Sequence, residues 1–391
     1  MSVEKALAYV DESEVVDLVK ALVKIRSVNP PGLEKEASVF VAETLKGFGA
    51  EVELQYLTPD RPNVLGRFRG RKGSPTLLFE GHLDVVPVED ESVWVIPPFN
   101  AEEREGYIYG RGSTDAKGSL AAMLEGVKAL VKSGVQLQGD LLVLAVVGEE
   151  FRNAGVRYAI EKGLRADMAV VLEPTDLKVK NLHKGILRLR VTTLGKAAHA
   201  STPWDGVNAV TKMASVIHEL DHLAARLKGK RHATLGFPTL VVSTVSGGVK
   251  ENIVPSKCTV TIDRRLIPGE TPKEARDEVY DVLNGLKASD PEFNADVEVY
   301  YEADPAETPS EERIVTVTRR AVETVTGMDP GATAFTASCD MGPLVNIAGI
   351  PTVILGPGEL ALAHKDNERI GVNQLVEAAK VYALTAFYAL T

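Results

Sequence analysis

Leu141-Leu142-Val143-Leu144-Ala145-Val146-Val147-Gly148-Glu149-Glu150 is an unbroken apolar run that ends on a glycine and two adjacent acids. With Gly139 before it and Gly148 after it, the run is too short for an independent helix. It suits a strand covered on both faces, the hallmark of a parallel sheet. Its end is unusual. Two neighbouring carboxylates at the mouth of a buried strand repel each other and resist desolvation unless a cation holds them.

The flanking sequence repeats this design. Strand-like runs occupy 51–56, 63–68, 76–79 and 169–172, and helical spacing of apolar residues covers 14–26, 33–48 and 120–131. Such alternation predicts an α/β domain with a mostly parallel sheet. Near residue 180 the pattern changes to apolar–polar alternation at 187–193, 239–245 and 258–266, with helices at 205–227 and 271–286. A helix at 311–326, a buried strand at 352–355 and a last helix at 373–390 then return to the first style. The expectation is a discontinuous main domain, 1–180 plus 303–391, with an inserted α+β domain at 181–302.

Composition narrows the function. The 391 residues are 45% hydrophobic and 25% charged, with a formal net charge of −10. No Lys/Arg run stands out, so nucleic acid and an anionic membrane are not expected partners. Two cysteines, Cys258 and Cys339, cannot form a disulfide framework and fit a reducing, cytoplasmic setting. Charges interrupt the apolar positions of the N-terminal 25 residues, which read as an amphipathic helix rather than a leader. No 18-residue apolar run predicts a membrane span.

The chemistry gathers at strand ends. His82 and Asp84 follow the strand at 76–79, Asp115 sits in a Gly-rich turn before a helix, Glu149 and Glu150 close the central run, Glu173 follows 169–172, and His364 follows 352–355. Ligands of open α/β sheets bind beyond the carboxyl ends of the strands. His82, Asp115, Glu150, Glu173 and His364 are a suitable donor set for two first-row divalent ions, with one carboxylate bridging. Glu149 is left over as a general base. Any one of these residues alone is better explained as structural; the ordered set is not.

At this point the ordered motifs GHLDVVP (81–87), YGRGSTDAKGS (109–119), VVGEEF (146–151), VLEPTD (171–176) and LAHKDNE (362–368) resemble the M20 metallopeptidase family. The resemblance is greatest to its branch of acetylornithine deacetylases, succinyl-diaminopimelate desuccinylases and carboxypeptidases, and it covers nearly the whole chain. It implies a catalytic domain of zinc-exopeptidase type carrying two zinc ions, or zinc and cobalt. His82 and Glu173 would be terminal ligands of one ion, Glu150 and His364 of the other, with Asp115 bridging beside a strained peptide bond. Asp84 would orient His82, and Glu149 would be the base. The inserted domain would be a lid that forms a homodimer, and His199 in 195–201 would reach the partner's site to hold an oxyanion. Asn252 and Arg264 would grip a substrate carboxylate, and Gly358 would line the pocket near His364.

The implied substrate is a small N-acyl amino acid or a short peptide with a free carboxylate. A dipeptidase or carboxypeptidase of the same family, or a silent amino-acid-binding relative, are the alternatives. Two positions depart from the common pattern: Gly148 stands where an acid is common, and Cys339 where a Thr or Ser is common. His218-Glu219-Leu220-Asp221-His222 spells H-E-x-x-H. Its histidines fall on the polar face of a helix with no strand-end cleft, so it is expected to be non-catalytic. His183 and His232 are expected to be structural or surface residues.

Overall fold

The computed structural model describes residues 7–391; the first six, part of the expected amphipathic N-terminal segment, lie outside the described residues. In chain order the elements are α1 (Glu12–Lys24), α2 (Lys35–Gly47), β1 (Glu51–Thr58), β2 (Arg61–Phe68), β3 (Leu77–His82), β4 (Glu102–Arg104), β5 (Tyr107–Tyr109) and α3 (Lys117–Lys132). Then come β6 (Leu141–Val146), α4 (Ala154–Glu161), β7 (Met168–Val171), β8 (Lys180–His183) and β9 (Gly185–Leu194). They are followed by α5 (Ala209–Leu227), β10 (Thr239–Gly247), β11 (Lys257–Leu266), α6 (Pro272–Ser289) and β12 (Asn294–Ala303). The chain ends with β13 (Ala306–Glu307), α7 (Arg313–Thr326), β14 (Thr333–Phe335), α8 (Met341–Asn346), β15 (Thr352–Ile354), β16 (Arg369–Gly371) and α9 (Val372–Leu390).

The chain divides into two compact units. One runs to Leu182 and resumes at Glu307–Phe335 and Cys339–Thr391; the other is His183–Ala306 with Thr336–Ser338. The expected cuts lay after 180 and after 302. The tripeptide 336–338, which the sequence reading left in the main domain, groups with the inserted unit.

The first unit is built on a sheet of order β1-β2-β6-β3-β7-β15-β8-β13, with β14 on β8. Its centre is parallel: β6 with β3, β3 with β7, and β7 with β15. Its margins are antiparallel, because the tight Thr58–Arg61 turn folds β1 back on β2 and β2 then runs against β6. The expected mostly parallel sheet is therefore a mixed sheet with a parallel core. β3, β6 and β7 are buried along their whole length, which accounts for their lack of alternation. Helix α3 is buried from Lys117 to Leu130 and packs on α1 and α9, while α2 packs on β1 and β2. Caps fix the helix starts: Asp11 accepts from the Ser13 and Glu14 amides to open α1. Among the described residues no helix is long and apolar enough to cross a membrane.

The second unit is an antiparallel sheet of order β10-β11-β9-β12 carrying α5 and α6. Thr271 and Glu274 form a reciprocal capping box that starts α6. On β11 burial alternates strictly, so Cys258, Val260, Ile262, Arg264 and Leu266 face the helices. Arg264 is fully buried. Its Nη2 donates to Glu270 at 2.7 Å and Glu278 at 3.2 Å, and its Nη1 to the Arg265 carbonyl at 2.7 Å. This corrects the sequence assignment: both terminal nitrogens of Arg264 serve the unit's interior and are not offered to a substrate carboxylate. The next residue, Arg265, emerges on the opposite face of the strand, part-exposed beside Asp263. A one-residue step along a strand changes the face.

Removing one partner of a buried ion pair costs about 3–5 kcal/mol because the other charge is left buried and unpaired. Arg264→Ala is expected to destabilise the protein by that amount in denaturant unfolding, while Arg265→Ala stays within about 0.5 kcal/mol, as exposed substitutions do. Equal, small losses for both would remove Arg264 from the support of this core.

Candidate metal centre

Three adjacent parallel strands deliver the site. In the order β6, β3, β7 they end at Glu149–Glu150, His82 and Glu173 respectively, so the side chains emerge next to one another at one edge of the sheet. Asp115 arrives from the turn before α3, across a cis Asp115–Ala116 peptide bond. His364 arrives from the segment after β15. The structure therefore brings together all five expected ligands and Glu149.

Their geometry is paired about Asp115. His82 Nε2 lies 3.2 Å from Asp115 Oδ1 and 3.7 Å from Glu173 Oε1. His364 Nε2 lies 3.2 Å from Asp115 Oδ2 and 3.0 Å from Glu150 Oε1. One oxygen of Asp115 thus faces each histidine, with a second carboxylate completing each side. Donor atoms of His82, Glu149 and Glu173 lie within 4.8 Å of one another, as do those of His82, Asp115 and Glu150.

The protonation of His82 tests whether a cation belongs there. Its Nδ1 is 2.9 Å from the Asp84 carbonyl oxygen, which can only accept, so Nδ1 carries a proton. In the neutral ring Nε2 then presents a lone pair to two carboxylates. That arrangement is repulsive without a positive charge between them, and it is the tautomer a metal ligand needs. The donor set of two imidazoles and three carboxylates fits two divalent ions of the zinc class.

Titration behaviour reports the same crowding. Burial, then the charge of Glu173, pushes Glu149 well above the usual carboxylate range. Burial, then Asp115, does the same to Glu173. For Asp115 burial works upward, yet hydrogen bonds to His364 and His82 hold it below the usual range. Hydrogen bonds to Asp115 and Glu150 push His364 up to about 10. Protons are the only cations this cluster can draw on by itself.

A supporting layer fixes these groups. Asp84, expected to orient His82, meets its Nδ1 with the main-chain carbonyl at 2.9 Å, while its carboxylate is 3.8 Å away. That carboxylate accepts instead from Asn29 Nδ2 at 2.8 Å and from the amides of Glu149 and Glu150 at 3.1 and 3.2 Å. Buried Glu368 accepts from the amides of Thr114 and Asp115 at 2.9 and 3.0 Å and is paired with Arg111 at 2.7 Å. Asn153 donates to Asp340 Oδ1 at 2.8 Å and to Glu149 Oε1 at 3.3 Å. The sequence reading passed over Asn29, Asn153, Arg111 and Glu368. Arg111 and Glu368 lie inside the quoted motifs; Asn29 and Asn153 carry no local signal.

The two departures leave the donor set unchanged. Gly148 adopts φ +72°, and a Cβ there would meet Arg61 Nη2 at 2.9 Å. Cys339 is buried, and burial lifts its thiol well above the ordinary value, so it is no thiolate ligand. Gly358 is buried with φ +85°, and its amide donates to Gln374 Oε1 at 2.8 Å.

The remaining expected residues lie in the inserted unit. His199 pairs with Ile253 in an isolated bridge, and the Ala200 amide donates to the Asn252 carbonyl at 3.1 Å, so His199 and Asn252 share one exposed patch. His199 Nδ1 is 2.7 Å from Ser201 Oγ. His183 is buried, with Nδ1 on the Lys184 carbonyl at 2.9 Å, and burial lowers it to about 4. His232 Nδ1 accepts from the amides of Thr234 and Leu235 in a turn.

Comparison with known proteins agrees with this geometry. The model of Peptidase family M20/M25/M40 matches residues 78–387. The chain is 31% identical to acetylornithine deacetylase of Proteus mirabilis over 370 residues, covering 91% of each chain. It is 28% identical to the N-formyl-4-amino-5-aminomethyl-2-methylpyrimidine deformylase of Bacillus subtilis, covering 95% of this chain and 93% of that one. An M20 family metallo-carboxypeptidase from Sulfolobus solfataricus has the same fold, with a TM-score of 0.80 over 96% of this chain and 99% of that one at 22% identity.

The expectation that Asp115 would serve both ions is tested by metal content. After dialysis to low free zinc, the parent protein is expected to keep two ions per chain, Glu173→Ala and His364→Ala one each, and Asp115→Ala none. Retention of both ions by Asp115→Ala in elemental analysis overturns the arrangement.

Proposed function

The chain belongs to peptidase family M20/M25/M40, an enzyme family of amide- and peptide-bond hydrolases, and we propose that it removes the acyl group from a small N-acyl amino acid. One observation carries this reading: Asp115 turns one oxygen to each of two histidine–carboxylate pairs, and Glu149 stands beside them with its carboxylate accepting from Asn153.

His82, Glu173 and Asp115 would hold one ion, and His364, Glu150 and Asp115 the other; zinc fits both, and cobalt is the alternative. Two such ions, when bound, supply Lewis-acid polarisation of the acyl carbonyl and a water of lowered pKa. Glu149 takes the proton of the attacking water and returns it to the leaving amine. Asn153 holds the Glu149 carboxylate toward the reacting atoms. His199, from the partner subunit of a homodimer, stabilises the oxyanion. Support for a dimer comes from β10, an edge strand with exposed Val241 and Val245. Asn252 and, in place of the buried Arg264, Arg265 receive the substrate carboxylate, for which a planar guanidinium is suited. Free, buried Cys258 and Cys339 support a reducing, cytoplasmic setting.

The deformylase relative, whose named substrate is an N-formyl aminopyrimidine, makes a formamide the competing substrate class. A panel of N-acetyl and N-succinyl amino acids, an N-formyl amine and dipeptides, compared by kcat/KM on zinc- and cobalt-loaded enzyme, is expected to favour an N-acyl amino acid. Preference for the dipeptides or the N-formyl amine replaces that reading, and no turnover of any of them with both ions bound leaves a binding protein.

Glu149→Ala is expected to keep both ions and lose about 10²–10⁴-fold in kcat. Full activity in that variant overturns its role as base. Arg265→Ala raises KM for carboxylate-bearing substrates with little change in kcat. Mixing His199→Ala with Glu149→Ala subunits restores activity if His199 acts across a dimer; no recovery ends the cross-subunit claim.

A further inference from the structure

We propose that His218, Glu219 and His222 on α5 form a separate transition-metal site, distinct from the centre built on Asp115. The two histidines are four residues apart and so lie one above the other on the same helix face. They are exposed, while α5 buries Met213, Val216, Leu220, Leu223 and Leu227 on its other side. Packing therefore makes no demand on either imidazole.

The nitrogens are already placed as a chelate. His218 Nε2 and His222 Nε2 are 3.2 Å apart, with the ring centroids at 4.5 Å and the planes inclined by 74°. Two nitrogens bound to one tetrahedral zinc at about 2.0–2.1 Å are roughly 3.3–3.4 Å apart. The observed separation is close to that tetrahedral edge. A carboxylate oxygen of Glu219 lies within 4.8 Å of a ring nitrogen of each histidine. Without an ion, this close approach of the two Nε2 atoms needs one ring to donate to the other, and protonating both rings would set two like charges against each other. An ion lets both Nε2 atoms act as acceptors while each Nδ1–H remains hydrated.

The chemistry selects the ion class. Two imidazoles and one carboxylate favour zinc, nickel or copper(II) over magnesium or calcium, with copper(II) the tightest. The site spans one helical turn in an exposed setting, so its effect is to tie that turn rather than to hydrolyse a bond. An ion that binds only the folded turn raises the stability of the folded protein by mass action.

The test uses tag-free enzyme already loaded at its Asp115 centre. Equilibrium dialysis against zinc, followed by elemental analysis, is expected to give one more ion per chain in the parent protein than in the His218→Ala/His222→Ala double variant. Hydrolysis by the two proteins, assayed at the lower loading, should be equal. Added zinc should raise the melting temperature of the parent and leave that of the variant unchanged. Equal uptake by both proteins overturns the proposal, as does an extra ion displaced by excess magnesium. Glu219→Gln should weaken uptake of the extra ion; unchanged affinity removes Glu219 from the ligand set.

Discussion

Asp115 sits between two imidazoles and cannot be satisfied by either alone. Its carboxylate is buried in the turn before α3, beside Glu173 and Glu150, which follow strands made mostly of apolar residues. Carboxylates so placed repel one another and lose hydration, and a proton relieves only one at a time. Divalent charge relieves several together. The fold exposes this demand because β6, β3 and β7 are parallel neighbours: all three C-terminal ends lie at one edge, and each leads to a proposed ligand or base. On the proposed reading, metal affinity would follow from sheet topology, and the binding energy of two ions would offset the electrostatic strain of this cluster.

The second layer obeys the same constraint with different means. Asp84 spreads its carboxylate over Asn29 and the amides of Glu149 and Glu150, and Glu368 captures the amides of Thr114 and Asp115 together with Arg111. In each case an acid is stabilised by backbone donors, and those donors belong to the residues that carry the chemistry. The acid is satisfied and the ligand loop is fixed by the same bonds. Asn153 extends the pattern by joining Glu149 to Asp340, so the proposed base is held by a neutral amide rather than by a cation that would hold its proton away.

Much of this was legible from one dimension. An apolar run ending on acids marks both the strand and its mouth, and for β3, β6 and β7 the strand and the site residues follow from one pattern. Elsewhere the pattern was insufficient. Arg264 and Arg265 are adjacent and chemically identical, so only the phase of the alternation in β11 separates an internal tie from an exposed cation. β12 was missed because a bulge between Val299 and Tyr301 breaks its alternation and its outer positions are polar. The antiparallel margin of the main sheet also escaped the reading, since an apolar run such as Asn63–Phe68 carries no sign of strand direction. Asn29 acts through Asp84, 55 residues away, and Asn153 through Glu149 and Asp340, four and 187 residues away, and no local sequence feature marks these contacts.

The contrast between the two histidine sites explains why the second kind of information matters. His218 and His222 advertise themselves in sequence because helix geometry alone brings residues four apart together. The pair is assembled locally, stays hydrated and needs no neighbour from elsewhere in the chain. His82 and His364 are separated by most of the chain and meet only through Asp115, in a setting where the carboxylates are stripped of water. Weak dielectric screening makes interactions there far stronger than on the exposed face of α5. On the proposed readings, a compact motif captures an ion without being able to use it, whereas the dispersed set gains reactivity because folding strips water from its carboxylates and leaves Glu149, the proposed base, beside them.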